Sequence, residues 1–359
     1  MAKTLIKGNY AIALACIKGG ADAFFGYPIT PQNEVPEYLS KMMPEAGKVF
    51  VQAESEIAAA QMVYGAAGAG KRVMTSSSSV GIALKQETIS YLAGAELPCV
   101  IVSVMRGGPG LGGIQPSQAD YYQATRGGGN GDYKVIVYAP ESIEETMKYI
   151  QEGFDVADIY RNPVMILIDG LIGQMMESVD LDVEIKKREI PNKDWATFGT
   201  NYHKGRNVIN SLYLDQYLLE KHNFKLKEKY DLIKKEETLY ELVNFDNPDY
   251  VIVAYGTMAR IARSAIIELK KVGINVGMIR PITVWPFPEK AFDKIPKSCK
   301  GILTVELSLG QMLDDVLISN NGRFPVAFYG RPGGVVIDSS DIEDVIKNFE
   351  KWVVKNATV

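Results

Sequence analysis

A chain of 359 residues, 47% hydrophobic and 23% charged, has the length and composition for two domains with complete cores. Its net charge of −4 supplies no electrostatic footprint for nucleic acid, and its longest strongly apolar run, 97–105, is far too short to span a membrane. Three scattered cysteines, Cys16, Cys99 and Cys299, argue against a disulfide framework, a zinc site or a self-contained iron–sulfur cluster, and point to a reducing cytoplasm. Two histidines, His203 and His222, leave little for a histidine triad.

Lys3, Lys7 and the apolar stretch from Ala11 to Ile17 imitate an export signal, but Gly19-Gly20 followed by A-F-F-G predicts a helix over 8–18, a turn and a buried strand over 23–25. G-Y-P-I-T-P at 26–31 then fixes a rigid loop at a strand end, where open parallel sheets place their ligands. Thr30 is expected to cap the next helix with Pro31 at its first position, its hydroxyl still free to face a site. Strand signals at 49–52, 73–75, 100–105, 135–138 and 164–169 alternate with helices near 34–43, 56–69, 81–94, 117–126 and 142–158. That alternation predicts a parallel sheet covered on both faces, spanning residues 1–190.

Within it, V-Q-A-E-S-E-I-A-A-A-Q-M-V-Y-G-A-A-G-A-G at 51–70 sets Glu54 and Glu56 against an alanine-rich helix. Small residues at 58, 59, 60, 66 and 67 let a flat ligand or a second backbone come close, and apolar surroundings favour the neutral form of a carboxyl turned inward. Two solvated carboxylates at a helix N-terminus explain the same pattern. Ser76-Ser77-Ser78-Ser79 is expected to cap the helix opening at Gly81, ligand contact being the second reading. R-G-G-P-G-L-G-G at 106–113 lets a ligand approach the backbone, with Arg106 suited to a carboxylate; it is neither a dinucleotide fingerprint nor a P-loop. G-G-G-N-G at 127–131 is expected to form a flexible turn.

From Glu184 to Asn247 the composition turns to Lys, Glu, Asp and Tyr, predicting a connector over 191–247 with a long, solvated helix over 212–234. A smaller parallel α/β unit follows over 248–359, with strands at 250–255, 276–279, 300–306 and 325–329 and a helix from Gly256 to Lys271.

Taken together, these pieces resemble the alpha subunit of 2-oxoacid:ferredoxin oxidoreductases, and within that family the 2-oxoisovalerate (3-methyl-2-oxobutanoate) branch. The matching segments are G-Y-P-I-T-P at 26–31, E-x-x-A-A at 56–60, S-S-S-S-V-G at 76–81 and M-R-G-G-P-G-L-G-G-I-Q-P-S-Q-A-D at 105–120, then V-A-Y-G-T at 253–257 and R-P-I-T-V-W-P-F-P at 280–288. The fold implied is a thiamine-diphosphate pyrimidine-binding parallel-sheet domain followed by a transketolase C-terminal-like α/β domain. By resemblance, Glu56 corresponds to the carboxyl that hydrogen-bonds the aminopyrimidine and promotes its imino tautomer, with Pro28 and Thr30 beside the cofactor. Arg106 would hold the substrate carboxylate, Thr30 lying close to the substrate oxygens. The reaction implied is oxidative decarboxylation of a 2-oxoacid to acyl-coenzyme A and CO2, with electrons passed to ferredoxin.

The Gly-Asp-Gly segment that begins the diphosphate and Mg²⁺ site of this enzyme class is absent from the chain, as is a cluster-binding cysteine set. The resemblance therefore implies a hetero-oligomer: a beta subunit carrying the diphosphate half and Mg²⁺, a ferredoxin-like subunit carrying iron–sulfur clusters, and room for a gamma subunit. A 2-oxoglutarate enzyme needs a cation for a second carboxylate, for which Arg126 is the candidate; pyruvate is a further alternative. From the residues alone, a non-catalytic scaffolding subunit and a two-lobed small-molecule binding protein also stand.

Overall fold

The computed structural model describes residues 3–199 and 205–354, so His203 lies outside the described residues. The chain opens with β1 (Thr4–Lys7), α1 (Gly8–Lys18), β2 (Ala23–Gly26), α2 (Glu34–Glu45), β3 (Val49–Gln52), α3 (Glu56–Gly68), β4 (Val73–Ser77), α4 (Ser79–Gly94) and β5 (Cys99–Met105). It continues with α5 (Tyr121–Thr125), β6 (Ile136–Tyr138), α6 (Ile143–Tyr160), β7 (Pro163–Asp169), α7 (Gly170–Gln174), β8 (Met176–Val179), α8 (Gln216–Glu236) and β9 (Tyr240–Val243). The last third holds β10 (Tyr250–Val253), α9 (Gly256–Lys271), β11 (Val276–Pro281), β12 (Thr283–Trp285), β13 (Gly301–Glu306), α10 (Gln311–Asn320), β14 (Val326–Gly330) and α11 (Ser339–Lys347).

Strands β4, β5 and β7 are buried along their whole length, as continuous apolar runs between two helical layers must be. The first sheet runs β12-β6-β7-β5-β4-β2-β3, parallel throughout except for β12, which lies antiparallel to β6. Leaving β2 the chain crosses to β3 on one side; leaving β4 it crosses to β5 on the other. The crevice above β2 and β4 is thus the topological switch point, the place where such sheets bind ligands. The second sheet runs β14-β13-β10-β11-β9, with β9 its antiparallel edge.

Four strands go unanticipated by sequence. β1 pairs with β8, β9 lies inside the stretch expected as connector, and β12 returns from the second unit to the first sheet. Each spans three or four residues, too few for alternation to register.

Other expectations are corrected. The helix expected over 117–126 shrinks to 121–125, because Ser117 and Gln118 bond the second unit instead. The Gly127–Gly131 loop is no loose turn: Gly128 and Gly129 donate their amides to the Tyr133 hydroxyl, and Ser90 donates to Asn130 Oδ1. Helix α8 is not simply solvated, since Leu226, Tyr230 and Ile233 form a buried stripe at helical spacing and Lys225 and Lys229 pair with Glu96. His222 is structural, its Nε2 lying 2.7 Å from the Gly94 carbonyl.

Two polar devices join the sheets. Gln118 Nε2 donates to the Tyr255 carbonyl at 2.9 Å while its Oε1 accepts from the Leu307 amide at 3.0 Å, clasping the ends of the second unit's strands. Arg280 on β11 donates both Nη atoms to Glu145 at 2.7 Å and Nε to Glu241 at 2.9 Å, while Arg263 bridges Glu141 and Glu241. Removing one partner from such a network leaves an uncompensated charge and is strongly destabilising.

Candidate functional site

Ser55 sits in extended conformation before α3 and its Oγ accepts the Ala58 amide at 3.2 Å, so Glu56 becomes the first residue of the helix. Glu56 is 8% exposed, whereas Glu54, two residues earlier, is exposed. The Glu56 carboxylate lies against the backbone of α4 at Gly81. A Cβ added there would stand 2.8 Å from Glu56 Oε1, 2.9 Å from its Cγ and 2.1 Å from Ser77 Oγ. Only glycine admits the carboxylate at this position. An isolated glycine early in a helix is a signal for such close approach, which sequence reading can use.

The four serines divide their tasks. Helix α4 begins at Ser79, two residues before the expected start, and Ser78, its N-cap, makes no side-chain capping bond. Ser76 Oγ donates to Gln32 Oε1 at 2.6 Å, while Ser79 Oγ accepts the Arg106 amide at 2.9 Å and donates to Asp120. Burial lifts the Asp120 carboxyl above its usual range, against the pull of Ser79 and of the Arg106 charge. Ser77 Oγ, Ser78 Oγ and Gln32 Nε2 are buried without a partner. Orphaned polar atoms grouped at a strand end invite a polar ligand; Gln32, Ser77 and Ser78 are residues whose importance sequence reading understates.

Thr30 does not cap α2, which begins at Glu34; its Oγ1 accepts from Asn33 Nδ2 at 3.2 Å. Pro28 lies exposed on the outer lip of the same loop. The Arg106 guanidinium, 7% exposed, donates Nη1 to the Thr30 carbonyl and Nη2 to the Leu111 carbonyl, each at 3.0 Å, and leaves Nε without a partner. No carboxylate forms an ion pair with it among the described residues, so a buried cation keeps donors to spare. Thr30 and Arg106 are thus in contact, while Glu56 flanks Ser77 on the neighbouring side of the crevice. Arg126 is elsewhere: it pairs with Asp315 at 2.9 Å and lines a cleft with Lys134, Lys234 and Trp285.

Ile57 beside Glu56, Leu84 on α4, and Leu111 and Ile114 on the glycine loop are 47%, 50%, 80% and 57% exposed, so α3, α4 and the glycine loop each carry an uncovered apolar side chain. The Glu56 carboxylate, the Gly81 backbone and the orphaned hydroxyls of Ser77 and Ser78 thus gather at the end of β4 and the start of α4. The described residues contain no group of three or more His, Cys, Asp or Glu able to hold a metal ion.

A switch-point crevice on a doubly covered parallel sheet, followed by a smaller α/β unit, is an architecture that thiamine-diphosphate-binding proteins share with many other α/β proteins. An inactive tetramer of a split-gene transketolase shares the fold, with a TM-score of 0.60 at 14% identity over 97% of this chain and 99% of that one. Residues 14–241 match the family described as "Pyruvate flavodoxin/ferredoxin oxidoreductase, thiamine diP-bdg", and residues 248–342 match "Pyruvate:ferredoxin oxidoreductase core domain II". The chain belongs to the 2-oxoacid:ferredoxin oxidoreductase family. It is 46% identical to the ketoisovalerate oxidoreductase subunit VorB of Methanothermobacter thermautotrophicus, over 97% of this chain and 98% of the relative. It is 34% identical to the 2-oxoglutarate synthase subunit KorA of Methanothermobacter marburgensis, over 92% and 95%. The 2-oxoglutarate:ferredoxin oxidoreductase of Magnetococcus marinus, solved with 2-oxoglutarate, coenzyme A and succinyl-CoA bound, superposes with a TM-score of 0.86 at 27% identity. That match covers 97% of this chain and 65% of the Magnetococcus chain. No helix among the described residues is long and apolar enough to cross a membrane.

Proposed function

We propose that this chain is the alpha subunit of an enzyme that oxidatively decarboxylates 3-methyl-2-oxobutanoate to its acyl-coenzyme A and CO2, with electrons passed to ferredoxin. The observation that carries the reading is the Glu56 carboxylate held against the α4 backbone at Gly81, two residues from Ser79, whose Oγ accepts the Arg106 amide. Bound thiamine diphosphate supplies the carbanion chemistry that breaks the bond to the carboxylate. Glu56 holds a proton at the aminopyrimidine ring nitrogen, a task suited to a largely desolvated carboxyl. Arg106 Nε and the unused Nη protons bind the substrate carboxylate, while Thr30 Oγ1 faces the substrate oxygens and Pro28 stiffens the loop beside the cofactor.

The diphosphate and Mg²⁺ belong to a beta subunit seated over Ile57, Leu84, Leu111 and Ile114, and the iron–sulfur clusters to a ferredoxin-like subunit, with a gamma subunit completing the assembly where present. Pairing of Arg126 with Asp315 supports a substrate without a second carboxylate. The test is anaerobic isolation of the chain with its co-purifying subunits and an assay of viologen reduction with coenzyme A and a panel of 2-oxoacids. Reduction driven best by 3-methyl-2-oxobutanoate is the expected result. Preference for 2-oxoglutarate keeps the mechanism and overturns the pocket reading; no reduction with any 2-oxoacid overturns the catalytic roles of Glu56 and Arg106.

A further inference from the structure

Helix α4 carries a residue that its packing does not require. Its buried stripe runs Ile82, Lys85, Gln86, Ile89, Leu92 and Ala93, and Lys85 is fully buried in the middle of it. An apolar side chain of similar length would fill the space. Lys85 Nζ donates to Thr75 Oγ1 at 2.6 Å, which engages one of three ammonium protons. A buried ammonium is costly unless a counter-charge stands close.

Side chains on a helix lean toward its N-terminus, so Lys85 reaches back over the turn holding Gly81, against which the Glu56 carboxylate lies. The helices α3 and α4 are tied further along by Gln61 Nε2 donating to Thr88 Oγ1 at 3.0 Å. The titratable groups that bear on Lys85 are Glu56 from α3 and the Cys99 thiol from β5; β4 offers Thr75. Burial pushes the Lys85 ammonium down to about 8 against the attraction of Glu56. Cys99 is pushed up to about 12 by burial and is neutral at working pH, which leaves Glu56 as the counter-charge.

We propose that Lys85 is a positioning residue for Glu56: its buried ammonium, on the face of α4 that also carries Gly81, holds the Glu56 carboxylate toward the place of the aminopyrimidine ring nitrogen. The proposal rests on the reading of Glu56 given above.

Two readouts test this on the assembled enzyme carrying Lys85→Met, Glu56→Gln, both or neither. In thermal melts across pH 6 to 10, the gap between Lys85→Met and its parent is expected to close as pH rises through the lysine titration. In the Glu56→Gln background the closure should occur at lower pH, because the counter-charge is gone. Identical closure in both backgrounds overturns the coupling. In the turnover assay, Lys85→Met is expected to lower kcat about tenfold with KM for the 2-oxoacid unchanged, and to add no further loss in the Glu56→Gln background. A loss by the same factor in both backgrounds makes Lys85 merely structural and overturns the proposal. Should Lys85→Met fail to assemble, Lys85→Gln, neutral and still polar, gives the same two readouts. Undiminished turnover in Glu56→Gln alone refutes instead the reading of Glu56, and is distinguishable because the melts report the pair irrespective of catalysis.

Discussion

Gly81→Ala puts the geometry of the crevice to a direct test. The new Cβ would stand 2.1 Å from Ser77 Oγ and 2.8 Å from Glu56 Oε1, where ordinary contact needs about 3.4 Å or more. Ser77 Oγ, which has no partner, can rotate away without losing a hydrogen bond; the Glu56 carboxylate must retreat by more than half an ångström or α4 must tilt. Overpacking of this kind costs about 1–3 kcal/mol, offset by the roughly 1 kcal/mol that alanine gains over glycine in a helix, so net destabilisation of about 0–2 kcal/mol is expected. Turnover should suffer far more. A misplacement approaching 1 Å at a reacting group costs on the order of 100-fold, or about 2.7 kcal/mol in the barrier. Denaturant unfolding measures the first quantity and viologen reduction by the assembled enzyme the second. Gly65→Ala on α3, where an added Cβ meets nothing within 4 Å, is the control and should stabilise slightly with turnover unchanged. If Gly81→Ala turns over within twofold of wild type, Glu56 is not placed by this contact and the reasoning fails.

Glu56→Gln removes the proton but keeps the shape, and should lower kcat by about 10²- to 10⁴-fold while unfolding shifts little; unchanged kcat would favour a scaffolding role. Arg280→Met strands Glu145 and leaves Glu141 and Glu241 to Arg263 alone at the junction of the sheets, and should destabilise by about 3–5 kcal/mol in denaturant titration. Burial alone would lift the Glu145 carboxyl, but the hydrogen bonds and charge of Arg280 hold it below the usual range. Its stabilising effect is therefore complete above the ordinary carboxylate pKa and lost as pH falls through the lower folded value, so acid unfolding should lose this component in Arg280→Met. Gln118→Ala leaves the buried Tyr255 carbonyl and Leu307 amide without partners and should cost about 2–5 kcal/mol; calorimetry showing no loss would mean that water or a neighbour replaces the clasp.

Much of the first sheet is legible in the sequence because a parallel strand covered on both faces must be an unbroken apolar run, as in Cys99–Met105 and Pro163–Asp169. The inward turn of Glu56 is legible from the small residues behind it, and the position of Arg106 from its place after a strand and before glycines. Thr30 as a helix cap is not borne out, since the proline loop continues three residues further before α2 begins. The division of labour among Ser76–Ser79 depends on Gln32, Asp120 and Arg106, partners 27 or more residues away, which no local pattern contains. Lys85 is legible in principle: it falls on the same stripe as Ile82 and Ile89, but a lysine within a helix is ordinarily assigned to solvent.

The return of Thr283–Trp285 to the edge of the first sheet has a consequence for modularity. A fragment cut where the composition changes, near residue 247, would carry six strands of that sheet and leave the open flank of Ile136–Tyr138 bare. Unpaired flanks of this kind recruit other chains and aggregate. The remaining fragment would bear a strand with no sheet to join. The two units are therefore expected to fold as one piece: any chimera that exchanges the second unit between relatives must bring a strand that still fits its new host's β6, or lose the first unit with it.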